Sequence, residues 1–207
     1  MLGAVVEVAG KKPFARFLEE EIFQPLGMKD TAFWVPAEKR GRFAQAYTQP
    51  DALRPYRQTH LEVGDYDREP VFASGGAGLV STLDDYAAFA TMLLAEGRYP
   101  GGQLFQPETV RFLTSPQLGP QPLADVWNSL DGFSYGKLMR VMRDPGRYPG
   151  LSRMDEYGWD GWLGTYFANF PHEQMTMLMM TQRTDHGTGP LTRKLRNLLL
   201  SSTEARL

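Results

Sequence analysis

Between Tyr157 and Gln182 the chain reads YGWDGWLGTYFANFPHEQMTMLMMTQ. Gly158, Gly161 and Gly164 are threaded there with Trp159, Asp160 and Trp162. Glycines at a strand edge bare backbone N–H groups. Such groups can stabilise a carbonyl oxygen as it becomes negative during acyl transfer. Flanking tryptophans would supply the apolar wall of a substrate cleft. The plainer alternative is structural, because glycine in a strand also marks a bulge or a bend. The motif alone leaves both readings open.

Other residue patterns carry less. Ser134-Tyr135-Gly136-Lys137 has the S-x-x-K spacing that puts a hydroxyl and a proton-accepting amine one helical turn apart. Gly136 weakens any helix, and the residues that follow alternate like a strand. Positions three apart in a strand point to opposite faces, so the pair is not expected to be catalytic. SGGAG at Ser74–Gly78 departs from G-x-G-x-x-G and reads as a turn feeding a helix. Its Gly75 and Gly76 also suit a loop that lets backbone approach a ligand. His60, His172 and His186 are scattered and form no H-E-x-x-H pattern, so no metal and no other cofactor is expected. Met175, Met177, Met179 and Met180 suggest an adaptable core. The basic run TRKLR reads as the solvent face of the last helix.

Stepping outward from these residues, the 207-residue chain is 42% apolar and 22% charged, as expected of a folded chain with a real core. A formal net charge of −2 gives no reason to expect nucleic acid as a partner. There is no cysteine, hence no disulfide and no thiolate nucleophile. No apolar run reaches the roughly 20 residues of a membrane span.

Residues 1–35 are expected to be helical. Leu2, Val5, Val6 and Ala9 form one helix face, with Gly10 as a stop. Phe14, Phe17, Leu18 and Ile22 form the stripe of a second helix that starts at Pro13. Residues 36–73 show little periodicity and read as irregular. In the helical region 74–115, Ser81 with Asp84, or Thr82 with Asp85, makes a capping box. Leu83, Tyr86, Ala90, Leu93 and Leu94 should face the core and Gly97 should end that helix. A short helix begins near Pro107. Residues 133–182 alternate over strand-length windows, as in an antiparallel meander. Leu191, Leu195, Leu198 and Leu199 define the face of a terminal helix over 189–202. Helices, then strands, then a helix give an α+β fold.

The order of stretches resembles the serine β-lactamase-like hydrolases: class C β-lactamases, D-alanyl-D-alanine carboxypeptidases and family VIII-type carboxylesterases. PLGMKDTAF and SGGAGLVSTLDDYAAF are the most specific parts of that resemblance, which spans nearly the whole chain. It implies a β-lactamase/transpeptidase-like fold, an antiparallel sheet flanked by helices. It also implies three catalytic motifs, and this chain has no Tyr-x-Asn and no credible S-x-x-K. The expectation is therefore the C-terminal portion of one such domain, with the N-terminal part of the fold missing and this chain inactive alone. Trp159-Asp160-Gly161 falls where the third motif belongs. The resemblance makes the Trp162 N–H, just after Gly161, one oxyanion donor. It also makes Trp159, Asp160, Gly75 and Gly76 lining residues for a small ester or amide substrate. Lacking lysine or histidine at 159, the chain leans away from lactamases towards an esterase-like or peptidase-like branch. An inward carboxylate at Asp160 would oppose the oxyanion, so it should point away. The alternative is a non-catalytic binding module that kept the cleft.

Overall fold

Helix α1 (Leu2–Gly10) ends where Lys11, not Gly10, takes the left-handed conformation, φ 53°. The computed structural model describes residues 1–48, 54–55, 66–118, 130–137, 139–184 and 189–203. Two compact units result, Met1–Phe89 and Ala90–Leu207, and each is described by itself. His60, His186 and part of the stretch expected to be irregular lie outside the described residues.

In the first unit, α2 (Phe14–Leu18) passes through a π-helical turn (Glu19–Phe23) into α3 (Gln24–Leu26). The wider π turn shifts the stripe by one residue. Phe23 is therefore buried where the helical period had pointed to Ile22. Gly27 closes α3 in the left-handed region at φ 68°. The apolar face expected on α1 is corrected: Leu2 and Val5 are exposed, and its buried residue is Gly3. The expected irregular stretch contains a 3-10 helix (Ala37–Arg42) and a two-residue strand pair, β1 (Tyr47–Thr48) with β2 (Arg54–Pro55).

Helix α4 (Leu83–Leu94) starts as its sequence directs. Thr82 Oγ1 accepts from the Asp85 amide at 3.2 Å. The Asp85 carboxylate turns instead to a distant stretch. Its Oδ2 accepts from the Asp30 amide at 2.7 Å and from Thr31 Oγ1 at 2.8 Å. A reciprocal bridge, Ala32 with Val80, runs beside it. The two most specific stretches of the sequence, KDTAF and STLDDYAAF, are thus bonded to each other. Leu83 is exposed, contrary to expectation, while Ala90 and Leu93 are buried.

In the second unit a hairpin, β3 (Arg98–Tyr99) with β4 (Gly102–Gln103), leads to α5 (Pro107–Leu113). Then five strands follow in sequence order as an antiparallel meander: β5 (Phe133–Tyr135), β6 (Arg140–Met142), β7 (Tyr157–Asp160), β8 (Tyr166–Phe170) and β9 (Met175–Met179). On one face Tyr166, Ala168, Phe170, Met177 and Met179 form a core with Leu200 of helix α6 (Pro190–Ser201). On the other, the buried Asn169 amide donates to Ala90 O at 2.8 Å and to Tyr157 Oη at 3.0 Å.

Helix α6 forms, but its inward face is turned by one residue from the expected one, and of the expected stripe Leu199 packs against the core. Its buried residues are Thr192, Arg196 and Leu200, four apart, while Leu191, Leu195 and Leu198 are exposed. Arg196, read from the sequence as part of a solvent face, is 1% exposed.

Candidate functional site

The glycine-rich stretch closes the hairpin from β7 to β8. Register fixes Trp159 opposite Phe167 and Asp160 opposite Tyr166. Gly161 N–H donates to Thr165 O at 2.7 Å, and Gly164 N–H to Gly161 O at 2.9 Å. Gly164 sits at φ 83°, which favours glycine. A Cβ at Gly158 would lie 2.0 Å from Phe167 O, and one at Gly161 would lie 2.2 Å from Thr165 Oγ1. The turn and the close strand pairing therefore account for these glycines, whatever else the edge does.

Trp159 and Asp160 are successive strand residues and leave the backbone on opposite faces. Trp159 packs edge-on to Tyr135, ring centroids 5.3 Å apart. The Asp160 carboxylate accepts from Arg140 Nη1 at 2.7 Å. Arg140, on β6, is almost wholly buried. Its guanidinium carbon lies 5.4, 5.8 and 5.1 Å from the ring centroids of Phe133, Trp159 and Tyr166. Trp162 follows in the turn and is exposed.

Behind the edge lies a second buried ion pair. Arg196 Nη2 donates to Glu156 Oε2 at 2.8 Å, Ser152 Oγ donates to the same oxygen at 2.7 Å, and Arg196 Nη1 also meets Tyr166 Oη. Burial pushes Tyr166 up to about 12, and does the same for Tyr157, so both stay neutral and able to donate. Burial is the strongest single influence and works against the Arg196 charge, but hydrogen bonding to Glu156 together with the electrostatic pull of Tyr166, Glu156 and Tyr148 raises its pKa.

The other sequence candidates lie elsewhere. Gly75 is in the first unit, where an added Cβ would come 3.2 Å from Gly3 N and 3.9 Å from the Phe14 ring. Gly76 has open space around it, and its N–H donates to Ser74 Oγ at 3.2 Å. Ser134 is buried within β5, its Oγ without a hydrogen-bond partner among the described residues. Lys137 lies outside that strand, its Nζ 5.3 Å from the centroid of the Phe112 ring. His172 is exposed and meets Asp155 Oδ2 at 3.2 Å. No group of three or more potential metal ligands occurs among the described residues. No helix there is long and apolar enough to cross a membrane.

Sequence reasoning missed Arg140, Glu156, Asn169 and Arg196. A signal existed for Arg140, whose neighbours make it an inward position of an otherwise apolar strand. A charge there requires a partner.

The β-lactamase family model matches residues 1–201. The chain is 28% identical over 198 residues to a putative D-alanyl-D-alanine carboxypeptidase of Escherichia coli K12, covering 88% of this chain and 43% of that protein. It is 30% identical over 212 residues to the esterase EstB of Burkholderia gladioli, covering 95% and 51%. It superposes on EstCE1, described as a hydrolase with promiscuous acyltransferase activity, with TM-score 0.79 at 21% identity, covering 94% and 52%. The chain spans about half the length of the curated relatives it matches.

Proposed function

This chain belongs to the β-lactamase family, and from that premise we propose that it forms the back wall of a serine hydrolase that transfers acyl groups from small esters or amides. The observation that carries the reading is the end of β7. The Asp160 charge is matched there by Arg140, whose guanidinium also lies 5.8 Å from the centroid of the Trp159 ring. A carboxylate next to an oxyanion donor would otherwise oppose the charge that develops there. In this reading the Trp162 N–H, after Gly161, is one oxyanion donor. Trp159 lines the substrate in this reading. The nucleophilic serine and the groups that manage its proton come from residues outside this chain. They attack the acyl carbon, expel the alcohol or amine, and pass the acyl group to water. Trp159, in place of lysine or histidine, favours esterase-like or peptidase-like substrates over lactams. The likeness to the esterase EstB supports an ester.

Turnover of p-nitrophenyl acetate and nitrocefin tests this reading. The 207 residues alone should give neither activity above a heat-inactivated control. Robust turnover by this chain, abolished by a serine-directed phosphonate, would overturn it.

A further inference from the structure

Among the described residues, three aromatic pairs involve strands of the five-stranded sheet. In two of them both rings are buried, Phe133 with Tyr148 and Tyr157 with Phe167. Those rings belong to the core. The third pair is half-buried in both members: Tyr135 and Trp159 meet edge to face, centroids 5.3 Å apart at 87°. Tyr135 is the last residue of β5 and Trp159 the last but one of β7. Register through Arg140, opposite both Tyr135 and Gly158, brings them to the same end of the sheet.

The backbone holds Tyr135 firmly. Its carbonyl accepts the Gln117 N–H at 2.9 Å, and the Lys137 N–H donates to Leu113 O at 2.9 Å. Between them Gly136 lies so close to the end of α5 that an added Cβ would come 2.5 Å from Leu113 O. Trp159 in turn meets the Arg140 guanidinium, 5.8 Å from its ring centroid. A ring pair fixed on strands and left partly open to water is preorganised for a ligand in a way that a mobile surface ring is not.

Resting on the proposed hydrolase reading, in which Trp159 lines the substrate, we infer that Tyr135 is a specificity-determining residue and that the Tyr135–Trp159 pair selects esters or amides that carry an aromatic ring. Two rings at near right angles let a third lie along one and meet the edge of the other. Aromatic contacts of that geometry contribute beyond the area they bury. An aromatic ring is therefore favoured over an aliphatic ring of the same size by about two- to tenfold.

The test first reads binding without turnover. Saturation-transfer NMR on this chain should give a stronger ring signal from benzamide than from cyclohexanecarboxamide. Y135F, which keeps the ring, should preserve that contrast. Y135L, which keeps apolar bulk without the ring, should reduce it at least about twofold. Thermal melting of each variant identifies a loss that is merely unfolding; if Y135L unfolds, the contrast between the two amides on the parent chain and on Y135F decides alone. In the longer hydrolase, kcat/KM is measured for methyl benzoate and phenyl acetate, each relative to methyl acetate. Y135L should lower at least one of these ratios about two- to tenfold, and Y135F should keep both.

Equal signals from the two amides, or an undiminished contrast in folded Y135L, would overturn the inference, since a tyrosine that only packs against Trp159 predicts no preference among ligands. Ratios that Y135L leaves unmoved in the longer hydrolase would do the same. Absence of serine-dependent turnover in the longer protein would instead remove the hydrolase reading and leave the binding result standing.

Discussion

Replacing Arg196 by methionine keeps the length and apolar stem of the side chain and removes its charge. Among the described residues Glu156, fully buried, then keeps the Ser152 hydroxyl at 2.7 Å as its side-chain partner. Breaking a buried pair by removing one member costs about 3–5 kcal/mol, because the remaining charge stays out of water. R196M also frees Leu151 O and Tyr166 Oη from their donor. The upper part of that range is therefore expected. Removing both charges, as R196M/E156L, replaces the pair with packed apolar groups, a change that is often neutral or stabilising by about 1–4 kcal/mol. The double variant should then be more stable than R196M alone, with a coupling of roughly 3 kcal/mol, the upper end for residues in contact. Urea unfolding followed by circular dichroism measures all four corners of the cycle. An R196M cost below about 1 kcal/mol, or a double variant that sums the two single losses, would refute the claim that this pair locks α6 to the sheet.

Other perturbations follow from the same structure. D85A removes two hydrogen bonds to a buried carboxylate and should cost about 3 kcal/mol in urea unfolding, against about 1 kcal/mol for T82A at the cap; equal costs would contradict the link between the two stretches. G158A forces a Cβ against Phe167 O and should destabilise more than G161A, whose clash a rotation of Thr165 relieves; the reverse order of melting temperatures would be inconsistent with the hairpin geometry. Absorbance at 295 nm should show Tyr157 and Tyr166 titrating near 12 while the unfolded chain titrates near 10. Their contribution to stability is full below pH 10 and is lost as pH rises through about 12, because the unfolded chain gives up those protons first; Y157F and Y166F should remove the late phase. Glu20, lowered from 4.5 to about 2 by its hydrogen bonds to Lys12 and Arg16, contributes stability above pH 4.5 that is lost as pH falls through about 2; E20Q should flatten that part of the acid titration.

Local rules made the helices and strands legible because their signals are local. The alternation in YFANF and MTMLM names two strands, and Thr82 with Asp85 names a helix start. The orientation of α6 was not legible. Leu191, Leu195 and Leu198 form the more apolar stripe, yet Thr192, Arg196 and Leu200 face the sheet. What turns the helix is Glu156, forty residues away in sequence, and no periodicity carries a partner at that distance. The π turn after Leu18 defeated a strict helical period in the same way, by one residue. At the candidate site the glycines drew attention for their exposed amides, but the hairpin already requires them. The counter-charge to Asp160 lies on another strand and becomes visible only when β6 and β7 are set in register.

The most direct measurement is intact mass after incubation with a serine-directed fluorophosphonate, followed by peptide mapping. The 207 residues alone should remain unmodified, and a longer gene product that contains them should gain one phosphonyl group on a serine outside these residues. A stoichiometric adduct on any serine of this chain, Ser134 included, would contradict the view that it is the wall of the cleft and not the bearer of its nucleophile.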